Sequence, residues 1–127
     1  MDDATARVLI TEHYENAGID EVKVHEIYTE DAVLEFPQGR ERIRGKANMY
    51  AFRSSFPGKV RLKIWRITGG GDVWVNHANI TYDDAPPSNS VTIMEFRGDK
   101  VFRETVYISD PWKPPAWRAQ WVEPMDD

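Results

Sequence analysis

The second half of the chain contains four segments rich in β-branched and aromatic residues, separated by short turn-forming sequences. The segments cover residues 60–68, 73–82, 90–97 and 101–109. The sequences GGGD, DDAPPSN and GD between them supply Gly, Asp, Asn and Pro, the residues that chain reversals favour. Four strands joined by such short loops form an antiparallel meander.

The first half of the chain is predominantly helical in pattern. One apolar stripe of an amphipathic helix is formed by Ala6, Leu9, Ile10, Tyr14 and Ala17, and Gly18 follows as a helix-ending glycine.

Two further helices are predicted in this half. Asp20 caps a short one, in which Val24, Ile27 and Tyr28 share a face, and another covers about residues 46–55. EDAVLEFP, residues 30–37, reads as a short strand, and QGRER follows as a polar loop. Helices first and strands afterwards predict an α+β domain with the helices on one face of the sheet.

The strands do not show the regular alternation of apolar and polar residues that is typical of a sheet with one solvent-exposed face. Segment 73–82 carries Val73, Val75 and His77 opposite Trp74 and Asn76, so both faces hold apolar side chains. We therefore expect the second face to be covered, and a homodimer through the sheet is the economical solution for a short chain. The alternative is that β-branched surface residues are simply good strand formers.

Composition excludes several classes of function. The net charge is −5 and the Lys and Arg residues are scattered, which argues against a nucleic-acid surface. There is no cysteine, and His13, His25 and His77 lack metal-ligand spacing. No apolar run approaches a membrane span, and the N-terminus lacks the pattern of a signal peptide. We expect a cytoplasmic protein without a metal or organic cofactor, bound to neither membrane nor nucleic acid.

Two stretches of the chain, within an overall pattern that spans nearly all of it, resemble the NTF2-like superfamily. They are YTEDAVLEFPQG (residues 28–39) and the strand–GDK–strand unit at residues 95–107. The chain is most similar to the SnoaL-like branch, which contains polyketide cyclases and relatives of ketosteroid isomerase. The resemblance implies a cone: a strongly curved antiparallel sheet packed against N-terminal helices, with an apolar pocket at its open end.

The resemblance also suggests which acids to consider. Ketosteroid isomerases carry an Asp base just before the Pro of the first strand, and the matching residue here is Phe36. Their second acid falls near Thr92, so that mechanism is not expected. SnoaL-like cyclases use an Asp near the end of the last strand, and Asp110 looks like that position. Tyr107, Trp112 and Trp117 would flank it, an apolar setting that suits acid–base work. The competing interpretation is that an Asp before Pro only forms a turn.

Other positions complete the predicted site. Glu104 would face the pocket only if a bulge shifts the register of its strand, and strand parity decides between Asn76 and His77. Arg53 is expected to be solvated. The expected pocket residues, besides the catalytic candidates Asp110 and Tyr107, are Tyr14, Tyr28, Phe36, Met49, Phe52, Trp74, Met94, Trp112 and Trp117.

We therefore predict one domain over residues 1–127, whose tail from about residue 111 packs back on the sheet or on a dimer partner. The expected function is acid–base chemistry of the cyclase, isomerase or dehydratase type on an apolar carbonyl compound. The alternative is a non-catalytic domain that binds a small ligand or associates with another protein.

Overall fold

The computed structural model describes residues 1–125 and shows three α-helices in front of a six-stranded sheet. The helices are α1 (Asp3–Asn16), α2 (Glu21–His25) and α3 (Lys46–Ser54). The strands are β1 (Tyr28–Phe36), β2 (Glu41–Arg44), β3 (Val60–Gly70), β4 (Val73–Tyr82), β5 (Ser88–Arg97) and β6 (Lys100–Ser109). This arrangement confirms the predicted α+β class.

Side-chain caps fix the starts of the first two helices. Asp2 accepts a hydrogen bond from the Thr5 amide at 2.8 Å, and Asp20 accepts one from the Lys23 amide at 3.1 Å. The prediction that Tyr28 belongs to the second helix is wrong. That helix ends at His25, and Tyr28 opens β1.

The sheet has the strand order β2-β1-β6-β5-β4-β3. Strands β3 to β6 form the predicted antiparallel meander, whereas β1 pairs with β6 in parallel. The predicted polar loop after β1 is partly a strand, because a turn at residues 37–40 returns the chain to pair Phe36 with Glu41. This hairpin adds β2 as an edge strand.

A β-bulge at Phe102 sets which side chains of β6 face the core. Glu95 pairs with Arg103 and Phe96 with Val101, so Phe102 is left without a partner on β5. The extra residue brings Val101 and Glu104 to the same face, although an undisturbed strand would place them on opposite faces. Both side chains are buried. The bulge considered for Glu104 is therefore present.

The core lies between the helices and the inner face of the sheet. Trp74 fills its centre with no exposed surface and donates its indole N–H to the Gly71 carbonyl at 3.0 Å. The other fully enclosed apolar side chains belong to α1, α3, β1, β5 and β6, and are Ala6, Ile10, Ala32, Leu34, Met49, Met94 and Val101. No helix within residues 1–125 is long and apolar enough to cross a membrane.

The tail beyond β6 does not pack back on this sheet. Pro111 to Met125 contains a short 3-10 helix, Ala116–Trp121, and nearly all of its residues are exposed. The predicted tail extends to residues 126 and 127, which lie outside the described residues. The expectation of packing on the same chain is thus not met by residues 111–125.

Gly69 is a position where backbone and packing both require glycine. Its φ is +153°, and an added Cβ would lie 2.8 Å from the Trp74 Cα. Gly98 also has a positive φ, +65°, but a Cβ added there would meet open space.

We expect Gly98→Ala to lower the free energy of unfolding by about 1–2 kcal/mol, the cost of an alanine in the left-handed conformation. Gly69→Ala should lower it further, since the neighbouring backbone must also move. Urea denaturation of both variants measures the difference, and equal losses would contradict the packing at Trp74.

Candidate functional site

A cavity of about 500 Å³ opens between α1, α3 and the inner face of the sheet. Its walls are largely apolar and aromatic, and its polar side chains come from α1, α2, α3, β5 and β6. The apolar and aromatic lining residues are Tyr14, Ala17, Val24, Phe36, Phe52, Phe56, Pro57, Val60, Leu62, Ile80, Tyr82, Val106 and Ile108. The polar ones include His13, Glu21, Arg53, Ser90, Thr92 and Glu104.

An ion pair with a tyrosine bridge forms the polar part of this cavity. Arg53 Nη2 donates to Glu104 Oε2 at 2.8 Å, and the Tyr28 hydroxyl donates to Glu104 Oε1 at 2.8 Å. Arg53 Nη1 donates to the same Tyr28 hydroxyl at 2.9 Å, which closes the triangle. The Glu104 side chain is 3% exposed and that of Arg53 is 23% exposed. We call these three residues the buried triad.

Two histidines stand beside the buried triad with their ring orientation fixed by the backbone. His25 Nδ1 bonds the Glu21 carbonyl at 2.7 Å, and His13 Nδ1 bonds the Val24 carbonyl at 2.9 Å. Because a carbonyl only accepts, each Nδ1 carries the proton and each neutral ring keeps an acceptor at Nε2. Arg53 Nη1 lies 3.3 Å from His25 Nε2 and donates to it. His13 lines the cavity itself.

The side chains of Thr92 and Asn76 form a second polar group near the hydroxyl of Tyr14. Thr92 of β5 lies opposite Asn76 of β4 in the sheet register, and both side chains point into the core. The Asn76 amide is fully buried, and neither its oxygen nor its nitrogen has a hydrogen-bond partner among the described residues. A buried amide without partners is costly and is unusual outside functional sites.

Burial sets the protonation of the aromatic and imidazole groups. It raises the pKa of Tyr14 to about 12, with the negative charge of Glu104 adding to the effect and Thr92 and Asn76 opposing it. It also raises the pKa of Tyr28 well above its usual value. Burial lowers the pKa of His13 and of His25. Both phenols and both imidazoles are therefore neutral at pH 7.

The guanidinium of Arg53 keeps its charge despite its position. Burial opposes that charge, but Tyr28 and Glu104 outweigh burial and raise the pKa of Arg53. A charged pair in an apolar cavity is expensive to desolvate unless hydrogen bonds satisfy its remaining atoms. Tyr28 and His25 supply those bonds.

Seven of the predicted pocket residues divide into three groups. Tyr14, Phe36 and Phe52 form the first group and line the cavity wall.

 The ring of Phe52 stacks edge-on against that of Phe36, with centroids 5.9 Å apart. Tyr28 does not line the cavity but holds two side chains that do. The third group lies in the core behind the cavity and consists of Met49, Trp74 and Met94.

The expected catalytic aspartate lies away from the cavity. Asp110 is exposed and accepts a hydrogen bond from Ser88 Oγ at 2.9 Å, which suits the turn interpretation. Tyr107 is 42% exposed on the outer face of β6, because it has the opposite strand parity to Glu104. Trp112 and Trp117 are exposed in the tail and do not flank a pocket. The predicted apolar setting of Asp110 is therefore absent from residues 1–125.

Sequence reasoning underrated Arg53 and Glu104 and gave His13 no role in the pocket. Arg53 was expected in solvent, yet it reaches Glu104 from the last turn of α3. The sequence signal for Glu104 lay in the strand that follows the GD turn. A regular strand would place its apolar residues Val101 and Val106 on opposite faces of the sheet. Such a pattern indicates a bulge, but it names no partner for the acid. The sequence left the choice between Asn76 and His77 open, and in the structure Asn76 points inward and His77 outward.

A mainly antiparallel sheet that holds a cavity under N-terminal helices is the architecture of the NTF2-like class of domains. The family model described as a SnoaL-like domain matches residues 10–104. The chain belongs to the SnoaL-like family.

Solved structures agree with this assignment. An NTF2-like protein of unknown function from Burkholderia xenovorans is 39% identical, with a TM-score of 0.92 over 98% of each chain. A proposed ketosteroid isomerase from Kribbella flavida is 26% identical, with a TM-score of 0.87 over 100% of this chain and 95% of that one. An LEH-like epoxide hydrolase from M. tuberculosis, 19% identical, shares the fold with a TM-score of 0.71 over 84% of each chain. No curated protein matches the sequence.

Removing the guanidinium of Arg53 should destabilise the fold, because the buried carboxylate of Glu104 is then unpaired. Arg53→Met leaves Glu104 without a charge partner, and we expect a loss of about 3 kcal/mol in the free energy of unfolding at pH 7. The matched control is Arg103→Met, which breaks the exposed Glu95–Arg103 pair and should cost below about 1 kcal/mol. Urea unfolding measures both losses. If the two variants lose the same free energy of unfolding, the ion pair of the buried triad is no stronger than a surface pair.

The two buried histidines should make stability depend on pH. Their folded pKa values lie below the ordinary 6.5, so the unfolded chain binds protons that the folded chain does not. The resulting stability is fully present above pH 6.5 and is lost as the pH falls from there through the folded pKa values.

Urea unfolding between pH 8 and pH 5 tests this dependence. Each histidine contributes at most about 1.4 kcal/mol per pH unit. The double variant H13Q/H25Q should flatten the profile, whereas His77→Gln, on the outer face of β4, should leave the slope as it is. An unchanged slope in the double variant would refute the assignment.

Proposed function

We propose that this protein is a small-molecule enzyme that moves a proton next to the carbonyl group of an apolar substrate. The observation that carries the proposal is the buried triad, whose charged pair, Arg53 and Glu104, lines a largely apolar cavity. Membership of the SnoaL-like family and the likeness to a proposed ketosteroid isomerase support the same class of chemistry.

The cavity suits a flat, apolar ligand. About 500 Å³ is within the usual range for small-molecule sites. Phe36 and Phe52 form one aromatic pair in its wall, and Phe56 and Tyr82 form another with ring centroids 5.4 Å apart. These rings can hold the body of a substrate while its oxygen points towards the polar side chains.

Glu104 is the group that takes the proton in this proposal. Each of its oxygens accepts one hydrogen bond from the buried triad, so each keeps a further lone pair. Arg53 and Tyr28 hold the carboxylate in one orientation, and a fixed base transfers protons more effectively than a mobile one.

Tyr14 supplies the complementary donor. Its phenol stays protonated because burial raises its pKa to about 12. As the C–H bond breaks, the proton moves to Glu104 and the electron pair shifts to the carbonyl oxygen, where the Tyr14 O–H stabilises the enolate. In a β,γ-unsaturated substrate the electron pair extends over the double bond, and return of the proton from Glu104 to the γ carbon gives the conjugated isomer. Attack of the enolate carbon on a second carbonyl closes a ring instead, and the new alkoxide takes the proton from Glu104.

A second candidate is a binding site without turnover. Both oxygens of Glu104 already accept hydrogen bonds from Arg53 and Tyr28, an arrangement that also stabilises a purely structural cluster. The cavity would then hold an apolar ligand and release it unchanged.

Exchange of α-protons for deuterium tests the proposed function without knowledge of the natural substrate. The probes are 2-tetralone, 1-decalone and a β,γ-unsaturated cyclohexenone, followed by proton NMR in D2O. We expect the protein to accelerate exchange for at least one probe. Glu104→Gln should reduce the acceleration by about 10²–10⁴-fold, and Tyr14→Phe by about 10²–10³-fold.

Matched controls separate the possible results. Glu95→Gln removes a carboxylate of the same type, paired with Arg103 on the outer face of the sheet, and should keep the full rate. If Asp110→Asn lost the α-proton exchange while Glu104→Gln kept it, Asp110 and not Glu104 would be the base. Thermal stabilisation by a probe with no exchange would favour the binding site.

A further inference from the structure

The side chain of Asn76 lies behind the wall of the cavity. It has no exposed surface and does not line the cavity, whereas its cross-strand neighbour Thr92 and the nearby Tyr14 both do. Neither the oxygen nor the nitrogen of its amide has a hydrogen-bond partner within residues 1–125. Because Asn76 does not reach the cavity, it acts on a ligand only through a residue that does.

The surroundings of Asn76 give no structural reason for an amide at this position. Its neighbours on the inner face of β4 are Trp74 and Ala78, which are both apolar and buried. Asparagine is a poor strand former, and burial of an amide without partners costs stability. An apolar side chain of similar size would avoid both costs. A buried polar group of this kind calls for an explanation, and a role in chemistry is one that the adjacent cavity favours.

The hydroxyl of Tyr14 is the group on which the amide can act. A phenol has one O–H donor and two acceptor lone pairs. When the O–H of Tyr14 points at a ligand oxygen, the phenol oxygen can still accept, and Asn76 Nδ2 is a donor without a partner. Burial raises the pKa of Tyr14 to about 12, and Asn76 acts in the opposite direction, as an N–H beside the phenol oxygen would.

We infer that Asn76 is a positioning residue for Tyr14: its amide N–H donates to the phenol oxygen and directs the O–H of Tyr14 into the cavity. Negative charge on the phenol oxygen grows as its O–H bonds an enolate. The bond from Asn76 is therefore stronger in the transition state than with a bound ketone, and it raises the rate more than the affinity. The inference rests on the proposed function, in which Tyr14 stabilises the enolate oxygen.

A double-mutant cycle of Asn76→Val and Tyr14→Phe tests this coupling in the full chain. The probe is 2-naphthol, a flat molecule whose hydroxyl mimics the enol of 2-tetralone, and calorimetry measures its Kd. We expect Asn76→Val to weaken binding about three- to tenfold, the range for one lost hydrogen bond. In the Tyr14→Phe background the same substitution should have no further effect.

Asn79→Val is the matched control for this cycle. Asn79 lies on the other face of the same strand, where its amide oxygen accepts the indole N–H of Trp65 at 2.7 Å. This variant should bind 2-naphthol like the original chain. Circular dichroism checks that each variant is folded, and Asn76→Ala takes the place of Asn76→Val in the cycle if the larger side chain does not fit.

Three results of the binding cycle would overturn the inference. Unchanged binding in Asn76→Val would mean that the amide has no effect on the site. Equal weakening with and without the Tyr14 hydroxyl would mean that Asn76 supports the wall and does not act through Tyr14. Failure of the original chain to bind 2-naphthol would leave Tyr14 without a ligand oxygen to contact.

The α-proton exchange of 2-tetralone separates this inference from the proposed function. Asn76→Val should lower kcat about tenfold and leave KM nearly unchanged, because the amide acts mainly in the transition state. Coupling in the binding cycle without any exchange would refute the proposed chemistry and keep Asn76 as a positioning residue for Tyr14. Exchange in which the two substitutions act independently would keep the chemistry and refute the role of Asn76.

Discussion

The ion pair between Arg53 and Glu104 is the interaction on which the arrangement of the inner face depends. It joins the last turn of α3 to the middle of β6, and Tyr28 at the start of β1 bonds both partners. Three separate elements are thus fixed at one point beside the cavity. Because charges in an apolar setting are costly to desolvate, such a pair is weak evidence for stability and better evidence for a chemical role.

The bulge at Phe102 makes this ion pair possible. Without the extra residue, Glu104 and Val101 could not both face the core, and with Val101 buried the carboxylate would lie on the outer face. Bulges re-aim side chains in this way in strongly curved sheets. One inserted residue in one strand therefore converts a surface acid into the polar centre of the cavity.

The sequence predicted the fold more completely than the site. Segments rich in β-branched and aromatic residues, with turn residues between them, indicated the meander, and Asp20 and Gly18 marked the ends of the early helices. The site depends on contacts between distant residues, such as Arg53 and Glu104, which local patterns do not reveal. Asp110 became the catalytic candidate because the resemblance to SnoaL-like cyclases implies an aspartate near the end of the last strand, and Tyr107, Trp112 and Trp117 stand near it in sequence. Strand parity and proline stiffness carry those aromatic residues outward instead.

We propose that the buried triad orients the polar groups of the cavity for chemistry and adds no net stability to the fold. Its most direct test is the free energy of unfolding of the apolar variant Y28F/R53M/E104L, compared with the original chain at pH 7. Replacement of a buried ion pair by apolar groups of similar size is often neutral or stabilising. We predict that this variant unfolds at the same or a higher urea concentration and has lost α-proton exchange. A loss of several kcal/mol would contradict the account and make the triad a structural element.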